Sequence, residues 1–289
     1  MEVLASNIGG TATLVGDPPN IIIGTVVEEL TFMDFIANLA PPITVILLVT
    51  LGLVWLVHGR KLHTSEEDRK GIMALDAAEE IEDRKLLVRA GTVCAATVVG
   101  FFLQQVTGLN PAVVALAGAA VAMLICGPEV EAVLHEVEWP TILFFVGLFV
   151  MVGALEATGF IEIVAHSLAS ASGSLAGTAV IVMWGSAFAS GVVDNIPFTA
   201  TMIPVIEGLA EARGYDAATT EPLWWSLSLG ACLGGNFTLI GASANLVVAG
   251  LVAREGMTTF TFVRFMLWGF PLTLVALAIS SAYVLLFQI

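Results

Sequence analysis

Two stretches of this chain carry the same string of helix breakers inside otherwise apolar sequence. SNIGGTATLVGDPPNIIIG at Ser6 to Gly24 returns as GGNFTLIGASANLVVAG at Gly234 to Gly250. Adding 225 to the first block pairs Gly9 with Gly234, Gly10 with Gly235, Thr13 with Thr238, Leu14 with Leu239, Gly16 with Gly241 and Asn20 with Asn245. Further on, TFMDF at Thr31 to Phe35 is echoed by TFVRF at Thr261 to Phe265, each followed six residues later by a proline, Pro41 and Pro271. Glycines, hydroxyls and an asparagine within an apolar run are expected where a membrane helix is broken to expose its backbone to a solute. The duplicated break therefore points to a transport site.

Composition agrees with a membrane setting. The 289 residues are 57% hydrophobic and only 12% charged, far from the balance of a soluble domain. The formal charge of −15 comes from 25 acids against 10 bases, which makes nucleic acid an improbable partner. Cys94, Cys126 and Cys232 are dispersed through apolar sequence and read as buried structural thiols. The histidines show no metal-binding spacing, so no cofactor is expected beyond a coupling Na+ or H+. Trp55, Trp139, Trp224, Trp225 and Trp268 fall near the ends of expected spans and read as belt anchors at the lipid interface.

A span needs about 20 mostly apolar residues. Continuous spans are expected at 42–57, 87–106, 111–126, 139–157 and 262–287, with discontinuous helices at 3–27 and 224–253. Residues 177–210 fold around VVDNIPFT, where Asp194, Asn195 and Pro197 signal a turn, so a re-entrant hairpin is expected there. The chain thus divides into 1–58 (the end of a first repeat), a hydrophilic loop 59–86, and 87–289 (a second repeat).

Seven of the ten Lys and Arg residues, Arg60, Lys61, Arg69, Lys70, Arg84, Lys85 and Arg89, cluster around that loop, which places it in the cytoplasm. Ile72, Leu75 and Ile81 recur there at roughly helical spacing, so a surface helix is expected. Counting crossings from this anchor, the two motif helices run in opposite directions if the hairpin does not cross. The repeat is then inverted, and Arg254 and Arg264 flank a second cytoplasmic turn.

An asparagine in the broken centre of a membrane helix can offer its carbonyl oxygen to a cation or its amide hydrogens to an anion. Asn20 and Asn245 are so placed, at equivalent positions. Freed N–H groups at each second half-helix favour an anion, and the last carbonyls of the first half-helix favour Na+. Asn236, Thr238 and Ser243 add neutral ligands, while Gly10, Gly16 and Gly241 permit the unwinding. Asp17 and Asp194 are acids inside apolar sequence, where a carboxylate is costly and marks a functional hypothesis. Asp194, beside Asn195, is the better candidate for an ion ligand or protonatable coupling group. Asp17, just before Pro18 and Pro19, is equally a helix cap.

The strings SNIGGTATLVGDPPN, SGVVDNIPFTA and GGNFTLIGASAN resemble the ArsB/NhaD branch of the ion transporter superfamily, particularly its members similar to the melanocyte P protein, with divalent-anion/sodium symporters as more distant relatives. The resemblance implies an all-α integral membrane carrier with inverted repeats, each giving a re-entrant hairpin and a broken helix to a midplane site. Residue by residue it places Asp194, Asn195 and Thr199 at the hairpin tip, and Asn236 to Asn245 in one broken helix. Ser6 to Asn20, including Ser6, Asn7, Gly10, Thr11, Thr13, Gly16 and Asp17, form the other. A coupling Na+ is expected near Asp194, Asn195 and Asn245. The resemblance also implies an elevator-type motion and a homodimer; the chain itself is expected in the lipid bilayer of a prokaryotic plasma membrane. By internal comparison about 120 residues with a first hairpin are expected before Ser6, so the N-terminal part of the first repeat is missing and the site incomplete.

The expected function is secondary transport of a small inorganic or carboxylate anion coupled to Na+ or H+, not catalysis. Na+/H+ antiport would rely on Asp194. Arsenite efflux would need thiols at the site, where only Cys232 is close. An intramembrane aspartyl protease needs two facing acids, whereas Asp17 precedes two prolines and its repeat counterpart is Ala242. A non-transporting regulatory subunit is the remaining class.

Overall fold

The computed structural model describes residues 2–59, 65–74, 81, 83–254 and 261–289, and among these no strand occurs. The helices are α1 (Glu2–Gly10), α2 (Pro18–Val26), α3 (Phe32–His58), α4 (Glu66–Met73), α5 (Arg84–Phe102), α6 (Gln104–Thr107), α7 (Pro111–Cys126), α8 (Val130–Glu136), α9 (Trp139–Ala157), α10 (Phe160–Ala171), α11 (Leu175–Val193), α12 (Asn195–Arg213), α13 (Ala217–Gly234), α14 (Ser243–Arg254) and α15 (Phe262–Phe287). Five of them, α3, α5, α9, α11 and α15, are long and apolar enough to cross a membrane. The protein is an all-α integral membrane protein. Leu51–Trp139 forms one compact unit, and the preceding chain together with Pro140–Ile289 forms another.

In the Leu51–Trp139 unit, α5 and α7 pack antiparallel. Thr97 fills the space over Gly118, and Val114 the space over Gly100. Asp83 caps α5 by accepting from the Lys85 and Leu86 N–H groups. Asn110 caps α7 through Ala112, with Pro111 in the first turn and Gly127 in the left-handed region at its end. The expected span 87–106 is interrupted at Leu103, which closes α5 and precedes α6, and Gly108 in the left-handed region ends α6. The expected surface helix is the short α4, with Ile72 exposed and a Lys70–Glu66 pair at 3.8 Å. Ile81 is outside any helix, while Arg60, Lys61 and Leu75 lie outside the described residues. Cys94 is exposed and Cys126 half-buried, so neither is the buried thiol expected; their helices turn these faces outward. Cys232 is buried.

The larger unit is built inside out relative to a soluble protein. Leu48, Leu143, Val150, Val192 and Leu286 face outward, while Asn7, Asp17, Asn20, Asn195, Ser228, Asn236 and Asn245 are buried. An apolar exterior is the lipid-facing surface such a protein needs, and polar groups must find partners within it. Its centre is α13, buried continuously from Pro222 to Gly234. Alongside it α11 runs parallel in a fixed register: Gly230 lies on the Met183 carbonyl, Gly234 on Ala187, and Thr238 Oγ1 donates to the Gly191 carbonyl at 2.6 Å. A Cβ on Gly234 would stand 2.4 Å from the Ala187 oxygen, so only glycine permits this approach. Phe188, Phe237 and Phe270 continue the seam. Trp224 and Trp225 are buried rather than at the lipid interface. Trp225 meets Phe35 edge-on and donates to Glu221, because α13 is surrounded on all sides.

The hairpin is α11 and α12 joined at Asp194. Ser174 caps its first arm, and the Arg213 guanidinium at the end of the second donates to the carbonyls of Ala169 and Ser172. Both ends of the hairpin therefore lie at one level. Here α10, absent from the sequence-based expectation, supports α12, with Ala165 against Gly208. Proline did not start α3 as expected; the helix runs through Pro41 and Pro42 from a Thr31–Asp34 cap. Its echo α15 starts from Thr261 and contains Pro271.

Candidate functional site

Both repeats break their helix at matching positions. The first helix stops at Gly10 and restarts at Pro18; the second stops at Gly234 and restarts at Ser243. In each break a glycine turns back onto a carbonyl, Gly16 onto Thr13 and Gly241 onto Thr238, both at 3.3 Å. The chain closes on itself so tightly that a Cβ on Gly16 would lie 2.2 Å from the Gly10 oxygen, and one on Gly241 2.8 Å from that of Gly235. Each released backbone carbonyl must find a donor in the absence of water. Asn20 Nδ2 supplies it to Thr11 and Thr13, and Asn245 Nδ2 to Gly235 and Thr238.

The two broken helices run antiparallel. Asn20 lies beside Ser228 and Cys232 of α13, and further along α2, Val26 shares a wall with Thr220 and Trp224. Direct side-chain bonds join them: Asn7 Nδ2 donates to Asn236 Oδ1 at 2.8 Å and to Asn245 Oδ1, and Ser228 Oγ donates to Asn20 Oδ1. The parallel register of α11 with α13 brings the hairpin tip to the level of the second break. There Ser243 Oγ lies 3.4 Å from Asp194 Oδ2, and Asn195 Nδ2 donates to Asp17 Oδ1 at 3.2 Å.

Between these elements lies a cavity of about 170 Å³ walled by Ser6, Asn7, Gly16, Asp17, Asn195 and Ser243, together with Pro18, Ile196, Ala242 and Ala244. Three helix N-termini open onto it: α2 at Pro18, α12 at Asn195 and α14 at Ser243. Their dipoles put positive potential on one small volume, although α2 offers no N–H donor there, since Pro18 and Pro19 lack one and the Asn20 and Ile21 N–H groups bond to the Asp17 carbonyl. Against it stands the carboxylate of Asp17, at the cap position of α2 but making no capping bond, its oxygen turned to Asn195 instead. Asp194 sits in a left-handed backbone conformation at φ 84°, and Ile196 N–H donates to its Oδ1.

Of the residues expected at the site, Ser6, Asn7, Gly16, Asp17, Asn195 and Ser243 form the cavity wall. Asp194 stands behind Ser243. Asn20, Asn236 and Asn245 lie behind the wall: Asn20 and Asn245 give their amide nitrogens to four released carbonyls, while Asn7 donates to the oxygens of Asn236 and Asn245 and Ser228 to that of Asn20. Gly10 and Gly241 shape the turns; Thr11 and Thr199 bond back to the Asn7 and Asn195 carbonyls, Thr13 offers its carbonyl to Asn20, and Thr238 ties to α11. Among the described residues no three His, Cys, Asp or Glu side chains form a metal cluster.

Sequence reasoning missed Ser228, whose only signal is a hydroxyl one helical turn before Cys232. It also missed a wider cavity of about 650 Å³ at the far end of α2, where Glu29, Asp34, Glu207, Asp216 and Glu221 gather from four separate segments.

The profile of the citrate transporter family matches residues 1–230. An uncharacterized transporter of Mycobacterium tuberculosis, Rv2684, is 42% identical over 284 residues, covering 98% of this chain and 65% of that protein. A 46 kDa membrane protein of Mycobacterium leprae is 38% identical over 98% of this chain and 65% of its own length. The P protein of Homo sapiens is 33% identical, with 98% of this chain and 43% of that protein aligned. The chain spans about 65% of the length of its mycobacterial relatives.

Proposed function

The chain belongs to the citrate transporter family, and we propose that it forms the solute-binding part of a secondary active transporter for a small anion, inorganic or carboxylate, coupled to Na+ or H+. The observation that carries this reading is the single cavity on which both helix breaks and the hairpin tip converge, with three helix N-termini directed at it. Such a volume favours a carboxylate or oxyanion through three helix dipoles and the first N–H groups of α12 and α14, without the cost of a buried arginine. Ser6, Asn7, Asn195 and Ser243 are the solute ligands in this reading, with Asp17 and Asp194 carrying the coupling ion.

The P protein-like relatives favour placement near the ArsB/NhaD branch. Arsenite fits the cavity less well, since no cysteine lines it and Cys232 lies behind Asn20. The hydrophilic segment on the cytoplasmic face of a plasma membrane, a homodimer and an elevator motion belong to the same proposal.

The test is uptake of radiolabelled citrate by the native protein in proteoliposomes under an imposed Na+ or H+ gradient. Gradient-driven accumulation supports the reading. Equilibration with neither gradient having any effect, or no flux of citrate or any small anion offered in its place, removes it.

A further inference from the structure

The second break has one released carbonyl that the asparagine amides do not reach. In the first copy Asn20 Nδ2 donates to the carbonyls of Thr11 and Thr13; in the second, Asn245 Nδ2 donates to those of Gly235 and Thr238. By the offset of 225, Thr13 corresponds to Thr238, but Thr11 corresponds to Asn236, one residue beyond Gly235. The Asn236 carbonyl is left with no N–H or hydroxyl donor among the described residues. It lies against Gly269 of α15, where a Cβ would stand 2.1 Å from its oxygen. A buried carbonyl without a donor is costly.

A second polar group without a partner stands one turn along. Thr273 follows Gly269 by four residues on the same face of α15, and helix side chains lean toward the N-terminus, which here is toward this carbonyl. Thr25, Thr44, Thr97 and Thr178 each spend their hydroxyl on the carbonyl four residues back. Thr273 does not: its Oγ1 is buried and makes no hydrogen bond among the described residues. Thr273 and Asn236 line one small cavity with Leu4 and Ile8 of α1 and Leu272 and Ala276 of α15. It offers about 10 Å³ for the centre of a water molecule, and all six residues are 9% exposed or less. About 10–15 Å³ in this measure holds one water, provided two to four polar groups surround it. The Asn236 carbonyl, the Thr273 hydroxyl and the Asn236 amide, whose Nδ2 makes only a long 3.4 Å bond to the Leu4 carbonyl, supply three. No carboxylate lines the cavity, which favours water over a cation.

The first copy closes the matching place differently. The offset of 230 that relates Thr31 to Thr261 and Pro41 to Pro271 puts Leu39 in the place of Gly269 and Ile43 in that of Thr273, and both are buried. There the carbonyl has its amide and the space its apolar filling; the second copy has neither. We infer that the cavity between α1, α15 and the second break is a binding site for one water molecule, which donates to the Asn236 carbonyl and bonds the Thr273 hydroxyl. Solvent then does at the second break what Asn20 does at the first. None of the six residues lines the 170 Å³ cavity, so the inference stands whatever the chain carries.

The experiment is a density map of the native protein in lipid, at a resolution that shows ordered water, joined to thermal unfolding of wild type and Thr273→Val in detergent. Expected is one peak about 2.5–3.0 Å from both Thr273 Oγ1 and the Asn236 carbonyl oxygen. A map that shows water elsewhere within the helix bundle and none here overturns the inference. Thr273→Val keeps the shape and removes one of the water's partners, so its melting temperature should fall by about 2–4 °C. A dry hydroxyl would instead be a burden, and an unchanged or raised melting temperature counts against the water. Should Thr273→Val fail to fold, the wild-type map alone decides. Replacing Na+ by choline during unfolding separates water from a cation. An equal response in wild type and variant upholds water; a loss of stability in wild type that Thr273→Val does not share makes the occupant Na+ and sinks the inference.

Discussion

The amide of Asn7 reaches across from the first broken helix and donates to Asn245 Oδ1 in the second at 2.9 Å. The position equivalent to Asn7 in the second copy is Cys232, and its thiol points to Asn20 Oδ1, the counterpart of Asn245, at 3.6 Å. Each copy therefore donates from the same position to the same asparagine of the other, as two-fold related halves must. Each of those asparagines in turn spends its amide nitrogen on its own broken helix. The chain of bonds passes from one repeat's break to the other's without water, which couples the geometry of the two.

Because the amide nitrogens of Asn20 and Asn245 do this work, replacing either by aspartate should harm the protein as much as alanine does. Each change leaves two buried carbonyls without a donor, at a cost of about 1–3 kcal/mol apiece. Thermal unfolding in detergent should show a fall of similar size for Asn20→Asp and Asn20→Ala. Tolerance of aspartate would mean that the oxygen, as a cation ligand, is what matters.

Glycines should divide into two classes by what surrounds them. Gly16→Ala and Gly234→Ala drive a Cβ into backbone carbonyls at 2.2 and 2.4 Å, and should lower stability by about 1–3 kcal/mol or prevent folding. Gly185→Ala, in the interior of α11 with nothing within 4 Å, should be neutral or stabilising by up to about 1 kcal/mol. Expression level and melting temperature of the three variants, measured side by side, check this.

Asp194 holds a backbone conformation, φ 84°, that strains any residue with a Cβ by about 1–3 kcal/mol. Asp194→Gly should raise the melting temperature of the hairpin while reducing Na+- or H+-driven uptake. A variant that is less stable and transports normally would show that the strain is absent and the carboxylate idle.

Arg213 closes the base of the hairpin through the Ala169 and Ser172 carbonyls. Arg213→Ala should leave these at the end of α10 without their donor, and hydrogen exchange should rise there and in the last turn of α12, with the tip unaffected.

Asp216 caps α13 through the Thr219 hydroxyl and N–H, which hold its carboxyl below the ordinary carboxylate range. A depressed carboxyl gives its stabilisation above its unfolded value and loses it as pH falls through the folded one. Wild type should therefore lose melting temperature on acidification more steeply than Asp216→Ala, with the difference present at neutral pH and gone in strong acid.

The sequence by itself determined where the helices break and turn. Gly10, Gly16 and Asp17–Pro18 stop and restart the first, Gly235, Gly241 and Ser243 the second, and Asp194 turns the hairpin. These positions are legible because glycine, proline and capping side chains act on the backbone within a few residues, whatever surrounds them. Membrane character and the duplication were legible for a similar reason, since composition and an offset of 225 need no knowledge of contacts.

Only the tertiary structure decided which residues meet. It buried Trp224 and Trp225, turned Cys94 outward, packed α10 beneath the hairpin and set the parallel seam of α11 and α13. It also put Asp17 rather than Asn20 or Asn245 on the wall of the cavity. In a soluble protein an amphipathic stripe announces the inward face; here both faces are apolar, lipid on one side and helix on the other, so hydrophobicity carries no sign of direction. What picks the partners is the fit of small residues and the need of each buried polar atom for a donor, and both exist only once the helices are side by side.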